Sequence, residues 1–392
     1  MESAINTISN QRYSPSMCLT HACNLSCRYC YQCHDKEHRM SYDIAQNCIE
    51  EIFRVMEQQN KNSVTINFIG GEPLLEFELM KKIFAYTEQN KKDFDVLYFA
   101  STNGTILNNE MKEWFTLHKD KIILGLSLDG TKNTHDFNRS NSFDKIDIPF
   151  FINNWPEQGV KMTLSEYSLK HLAENIIYIH NLGFKRIDGV NLFEGNFDWA
   201  QDKFIEMLIP ELFKLKEFYL QNPELNINQM LNKNLELCAV EKKERKKKCG
   251  IGINVTFFDT DGKKYPCSFV TPMTFSAGEI SEILHTDFYD EENFVDDFCY
   301  DDCYLYPICS SCAGANFLAN HSFKEQNKSK CKINKLIALF IADLQAHRII
   351  KYPEKYTDET VLYYLIEAIH QIKDLYLDEF KKYFQNYSED FI

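Results

Sequence analysis

The chain has no run of about eighteen consecutive apolar residues, which excludes a membrane-spanning helix. Residues 1–16 are polar and lack the apolar core of a secretory signal, so a cytoplasmic, membrane-free protein is expected. A basic excess is missing as well. Lys plus Arg number 43 against 57 Asp plus Glu, a formal charge of −14, and no uniform grip on nucleic acid or anionic membrane follows. There is no internal repeat and no low-complexity tract. Apolar residues make up 44% of the chain, enough for an ordinary core, and general disorder is excluded. At 392 residues the chain has room for two domains, or one large domain with an appendage.

What is abundant is cysteine. Of the 14, five lie between Cys18 and Cys33 and seven between Cys249 and Cys331, with Cys48 and Cys238 apart. Clustered thiols in a reducing compartment hold metal or do redox chemistry more often than they form disulfides. Two separated clusters point to two metal-bearing regions.

The first two-thirds alternates strand-like and helical patterns. Strands are expected at Ser16 to Thr20, Ser63 to Ile69, Val96 to Ser101, Ile122 to Leu128, Lys161 to Leu164 and Ile187 to Phe193. Ile44, Cys48, Ile52 and Met56 mark one face of a helix starting near Ser41. Leu169, Leu172, Ala173, Ile176 and Ile179 mark another, with Gly183 as its C-cap. Strands alternating with helices imply a parallel sheet, open or rolled into a partial barrel, with its ligand site at the C-terminal strand ends. Asn196 to Leu237 reads as helical, with Phe204, Leu208, Leu212, Leu215 and Phe218 buried. Lys242 to Lys248 is a basic run, read first as a solvated helix face, with the acidic stretch Asp287 to Asp302 as an internal counterpart. Helical periodicity returns after Cys331 and breaks at Pro353.

Cys23, Cys27 and Cys30 have the spacing C-x3-C-x2-C directly after the first strand. Three thiolates on one tight loop can hold three corners of a cubane [4Fe–4S] cluster and leave one iron open. A zinc site completed by His21, His34, Cys18 or Cys33 is the alternative. The string Cys-Asn-Leu-Ser-Cys-Arg-Tyr-Cys-Tyr, with Tyr29 before the last ligand, resembles the signature of the radical S-adenosylmethionine (radical SAM) enzymes. That resemblance implies SAM on the open iron and a 5′-deoxyadenosyl radical that abstracts hydrogen.

Further strings sit at strand ends in the order the family shows. Gly70-Gly71-Glu72-Pro73 resembles the family's Gly-Gly-Glu-Pro motif, with Glu72 facing the methionine ammonium. Ser101 and Asn103 follow the third strand. Ser127 and Asp129 follow the fourth, and Arg139 would pair with the SAM carboxylate. Leu192 would pack against the adenine. Each string alone is ordinary turn chemistry; the order of four of them is what carries the resemblance, over residues 16 to 195.

The second cluster, Cys249, Gly262, Cys267, Cys299, Cys303, Cys309, Cys312 and Cys331, resembles the seven-cysteine SPASM extension of radical SAM enzymes that modify peptides. Its centre runs C-x3-C-x5-C-x2-C where the family pattern is C-x2-C-x5-C-x3-C. By resemblance Cys299, Cys303, Cys309 and Cys331 hold one auxiliary [4Fe–4S] cluster, and Cys249, Cys267 and Cys312 hold three corners of a second. Cys238 closes that second cluster, or an open iron is left for a substrate thiolate. A pair of zinc sites is the alternative for the segment. In sulfatase-maturating relatives the residue after the cysteine matching Cys267 is an Asp that accepts a proton; here it is Ser268, with Asp259 and Asp261 nearby as substitutes.

The fold expected is α/β: a partial (β/α)6, TIM-like radical SAM barrel over 10–225, a SPASM module over 226–335 and a helical region over 336–392. The resemblance implies three [4Fe–4S] clusters and SAM. It also implies a ribosomally made peptide or protein substrate, an electron donor such as flavodoxin or ferredoxin, and a separate leader-recognition protein or the terminal helices in that role. Thioether formation is the reaction expected first. Formylglycine formation, or a non-catalytic zinc or iron–sulfur regulator, are the alternatives.

Overall fold

Alternating burial turns the β-branched and aromatic runs into strands. The computed structural model describes residues 12–30, 32, 36–192, 198–240, 244–385 and 387. Cys33, His34, Phe193, Asn196, Lys242 and Lys243 lie outside these. All six expected strands form, as β1 (Ser16–Thr20), β2 (Ser63–Gly70), β3 (Asp95–Thr102), β4 (Ile122–Leu126), β5 (Val160–Leu164) and β6 (Ile187–Leu192). In β2 the inward residues are Val64, Ile66 and Phe68, while in β1 Met17 through Thr20 are all buried, as in a strand covered on both faces.

The chain divides into two units that interleave in sequence. The first comprises 1–128, 135–158 and 250–290, and the second 129–134, 159–249 and 291–392. In the first unit β1, β2, β3 and β4 pair in parallel, with registers such as Val64 to Val96 and Tyr98 to Ile122. Helices α1 (Tyr42–Gln58) and α2 (Phe77–Asn90) supply the first two crossovers, and the short helix Asn109–Leu117 the third. Ser41 caps α1, its side chain accepting from the Ile44 amide at 3.2 Å; Cys48, Ile52 and Met56 are buried, while Ile44 is only half-buried.

The sequence reading missed one part of this sheet. Phe257–Phe258 (β7) pairs parallel with β1, and Lys264–Tyr265 (β8) closes a hairpin on it. Gly262 sits in that turn at φ +81°, where only glycine is at ease. A two-residue strand is too short for a period-2 signal. The Asp-Gly between two aromatic-rich stretches was the available clue.

The second unit pairs β5 with β6 in parallel. The face Leu169 to Ile179 is buried as expected but is split at Lys170, between Glu166–Leu169 and α3 (Leu172–Asn181). Helix α4 runs Asp202–Gln221 rather than to Leu237. It stops before Pro223, whose ring excludes the helical conformation from Asn222. Helix α5 (Cys331–Lys351) and α6 (Glu359–Phe380) pack antiparallel around the expected break at Pro353. Among the described residues β4 and β5 share no ladder, so the parallel strands do not close into a barrel.

Lys216 of α4 and Asp343 of α5 form an ion pair at 3.0 Å, with side-chain exposures of 2% and 0%. Removing one partner strands a buried charge. Lys216→Met is expected to cost roughly 3–5 kcal/mol in urea unfolding, and the double replacement with Asp343→Leu to recover much of it.

Candidate functional site

The first unit builds its site where β1, β2 and β3 end. Cys23, Cys27 and Cys30 lie on the loop leaving β1. Burial pushes the Cys23 thiol up to about 11, and ionised Cys27 and Cys30 push the same way. Three thiols that oppose one another's ionisation are a donor set that a cationic iron cluster would reverse, because thiolates ligate with loss of their protons. The Cys23 sulfur also accepts from the Leu25 amide at 3.4 Å.

Backbone packing holds this loop against the end of β2. The Gly71 amide donates to Thr20 O and the Glu72 amide to Ala22 O, both at 2.9 Å. A Cβ on Gly70 would overlap the Thr20 carbonyl, and one on Gly71 the Ala22 carbonyl. These contacts are with backbone, which cannot rotate aside. Gly71→Ala is therefore expected to separate the two loops, at a cost of about 2–4 kcal/mol and with loss of iron retention at the first cluster, read by iron analysis.

Glu72 is 1% exposed. Its Oε1 accepts from Thr102 Oγ1 at 2.8 Å and the Leu74 amide at 3.1 Å, and its Oε2 from the Asn103 amide at 2.7 Å. The carboxylate thus ties the β2 end to the β3 end. Burial raises its pKa to about 7, against those three hydrogen bonds and the Arg139 charge, which lower it. Because the folded value lies above that of the unfolded chain, the folded protein takes up a proton as pH falls. The group's contribution is full below about pH 4.5 and is lost as pH rises through about 7. Without SAM, wild type should therefore gain stability over Glu72→Ala on moving from pH 7.5 to pH 5, measured by urea unfolding.

A polar bracket that the sequence reading missed fixes the loop to β3. Asn103 Nδ2 donates to Asn24 Oδ1 at 2.9 Å, Asn24 Nδ2 to Thr105 Oγ1 at 2.8 Å, and Thr105 Oγ1 to Asn103 Oδ1 at 2.7 Å. Short polar side chains read as turn formers, which hid their mutual contacts. The other side of the loop is held by 137–140. Arg28 N donates to Asn138 O, Arg28 Nε to Phe137 O, and Ser26 N to Ser140 Oγ. Arg139, 8% exposed, lies with its guanidinium 5.3 Å from the Tyr29 ring centroid. Ser127 and Ser101 are half-buried at their strand ends, and the Ser127 amide donates to Thr102 O.

Asp129 and Leu192 belong to the second unit. Asp129 is fully buried and its Oδ1 accepts from the Thr163 amide at 3.3 Å. His21, one of the alternative zinc ligands, is hydrogen-bonded through Nε2 to Asp259 Oδ1 at 2.6 Å, 238 residues away. Donor atoms of Cys18, His21 and Asp259 lie within 4.8 Å of one another.

In the second unit Cys299, Cys303, Cys309 and Cys331 converge. Burial pushes Cys299 up to about 12, with Asp296 and then the other three thiolates adding to it. Cys309 is pushed up to about 11 by burial and by Cys331 and Cys303. Val295, Cys299 and Tyr306 form a buried apolar cluster with Tyr300 against it. Cys238 is 3% exposed, and Tyr304, within its electrostatic reach, has a buried hydroxyl with no hydrogen-bond partner among the described residues. An orphaned donor beside thiols fits a sulfur-rich group. Cys249 and Cys312 also fall in this unit; Cys267 falls in the first. Among the described residues no cysteine is in a disulfide.

The basic run is not a helix where it is described. Arg245 pairs with Glu292 and Asp297, and the Lys247 amide donates to Glu291, so the acidic stretch is its counterpart.

A family model described as the radical SAM superfamily matches residues 17–208. A cysteine-type anaerobic sulfatase-maturating enzyme of Clostridium novyi (strain NT) is 25% identical over 336 residues, 74% of this chain and 84% of the relative. A radical SAM cyclopropyl synthase, TigE, of Paramaledivibacter caminithermalis is 24% identical over 56% of this chain and 44% of the relative. Among solved structures, native anSMEcpe with bound AdoMet aligns with a TM-score of 0.64 at 17% identity, covering 92% of this chain and 100% of the other. Streptococcus suis SuiB bound to precursor peptide SuiA aligns at 0.52 and 15% identity, covering 82% and 76%. At these identities the two structures establish the fold alone. No helix among the described residues is long and apolar enough to cross a membrane.

Proposed function

Starting from a chain that carries a radical SAM domain and is homologous to anaerobic sulfatase-maturating enzymes, we propose that it is a peptide-modifying radical SAM enzyme that forms a thioether cross-link. The observation that carries the reading is the three-thiol loop pinned against Gly70–Glu72 and Asn103, with a separate four-thiol set in the second unit.

Membership in that family implies a [4Fe–4S] cluster and SAM. In the reading proposed here Cys23, Cys27 and Cys30 would hold the cluster, whose chemistry when bound would be one-electron reduction of SAM. The chain's own residues bind and orient. Glu72 Oε2 accepts from the Asn103 amide and has a further lone pair for the methionine ammonium. Arg139 offers a planar fork to the carboxylate, and the Tyr29 ring beside it limits its freedom. A buried carboxylate and guanidinium therefore face a zwitterion of matching polarity. Gly70 and Gly71 keep side chains out of the space beside the loop. Ser101, Asn103 and Ser127 line the strand ends of the first unit, with Ser127 offered to the ribose or the carboxylate.

A peptide substrate draws support from proteins of the same fold, one solved with the precursor peptide SuiA and another with the Cp18Cys peptide. Thioether formation is favoured over formylglycine because Ser268 replaces the proton-accepting Asp, and because the nearby carboxylates are engaged. Asp259 is 6% exposed and accepts from His21 and the Thr260 amide; Asp261 pairs with Lys263. The second reading, sulfatase maturation, rests on homology over 74% of the chain.

Co-expression with a Cys-containing peptide encoded beside the gene separates the two by mass spectrometry. Loss of two hydrogens with a thiol no longer alkylated supports the thioether. Replacement of sulfur to give formylglycine supports the second reading. Zinc with negligible iron in the anaerobically prepared protein would remove both.

A further inference from the structure

We propose that Lys233 and Lys248 are the resident counter-cations of the auxiliary cluster assigned to Cys299, Cys303, Cys309 and Cys331, and that they raise its reduction potential. This rests on the reading that the four-thiol set carries an iron–sulfur cluster.

Both amines are half-buried in the second unit. Lys233 Nζ donates to Ser310 Oγ at 2.9 Å, the residue next to Cys309, and lines a cavity of about 130 Å³ that Cys309, Asn334 and Leu192 also line. Lys248 Nζ donates to Tyr306 O at 2.6 Å and stands 3.5 Å from the Tyr306 ring centroid. Both amines therefore sit on the Cys309 turn: Ser310 follows Cys309, and the Tyr306 carbonyl that Lys248 contacts also accepts from the Cys309 amide. Asn334 Nδ2 reaches the Cys309 sulfur from another side, at 3.8 Å.

Neither ammonium has a carboxylate within ion-pair distance among the described residues, in a chain with 57 acidic side chains. The nearby cations behave differently: Arg245 pairs with Glu292 and Asp297, Lys246 with Glu244, and Lys324 with Asp297. A cation withdrawn from water needs a counter-charge, and two such cations converge on the turn of one thiol. Carbonyl, hydroxyl and ring contacts solvate an ammonium without neutralising it. A four-thiolate iron–sulfur cluster is anionic and gains a further negative charge on one-electron reduction. Cations fixed beside it in a low-dielectric setting stabilise the reduced form more than the oxidised one.

The test is an EPR-monitored redox titration of the reconstituted, dithionite-reducible holoenzyme. It is repeated with Cys23, Cys27 and Cys30 all replaced by Ala, so that only auxiliary signals remain. At the potential where the wild-type cluster is half reduced, Lys233→Met and Lys248→Met should each lower the reduced-to-oxidised ratio by about threefold to tenfold, and the double variant by more. Lys233→Arg and Lys248→Arg keep the charge and should titrate with wild type, which separates charge from packing. The first cluster's midpoint should not move. Met variants that titrate on the wild-type curve while retaining iron overturn the proposal. A four-iron deficit with zinc in its place would instead overturn the cluster reading beneath it.

Discussion

Replacing Cys23, Cys27 and Cys30 together by alanine is expected to lower 5′-deoxyadenosine formation from SAM and dithionite by at least roughly a thousandfold, about 4 kcal/mol in apparent activation free energy. The reason is local. These are the thiols on the loop that Gly71, Asn103 and 137–140 grip from three sides, and no neighbouring side chain replaces them as ligands. Cys18 is fully buried and held against Thr20 O, with burial raising its pKa, and His21 is engaged by Asp259. On the proposed reading of three four-iron clusters, iron content should fall in step, from about twelve to about eight per chain. Retention of full iron together with cleavage would mean that the loop is not where the first cluster sits.

The second large effect separates the two thiol sets. Cys309→Ala is expected to reduce peptide product by at least roughly a hundredfold, about 3 kcal/mol, while 5′-deoxyadenosine continues to form within about threefold of wild type. Cys309 belongs to the second unit, whereas the first loop and the residues that hold it belong to the first. It does border the cavity at the end of β6, the strand end where ligands gather in parallel α/β structures. Liquid chromatography of both products from one reaction reads the ratio. Proportional loss of both would place Cys309 in the path of SAM cleavage, and unchanged product would make its cluster dispensable. Circular dichroism guards against a folding defect.

How much of this was legible in advance differs by residue. The C-x3-C-x2-C loop, the Gly-Gly-Glu-Pro string and the six strands were readable because each is a matter of neighbours along the chain: ligand spacing, close backbone approach and period-2 burial. Helix ends were less readable. Periodicity carries α4 on to Leu237 because apolar residues recur past Asn222, although Pro223 forbids continuation. The motif assigns Glu72 to the methionine ammonium alone, and its bonds to Thr102, Asn103 and Leu74 show that it also joins two strand ends.

By itself the sequence determined the thiol spacing, the parallel α/β class and the motif order, since these depend on covalent connectivity and short-range periodicity. Only the tertiary structure decided that β7 extends the sheet beside β1, that Asp259 meets His21 across 238 residues, and that Lys233 and Lys248 end at Ser310 and Tyr306, on the Cys309 turn, without carboxylate partners among the described residues. Such contacts carry no local signature. They exist because burying apolar surface draws distant segments together, and each buried charge then takes whatever partner the packing leaves beside it.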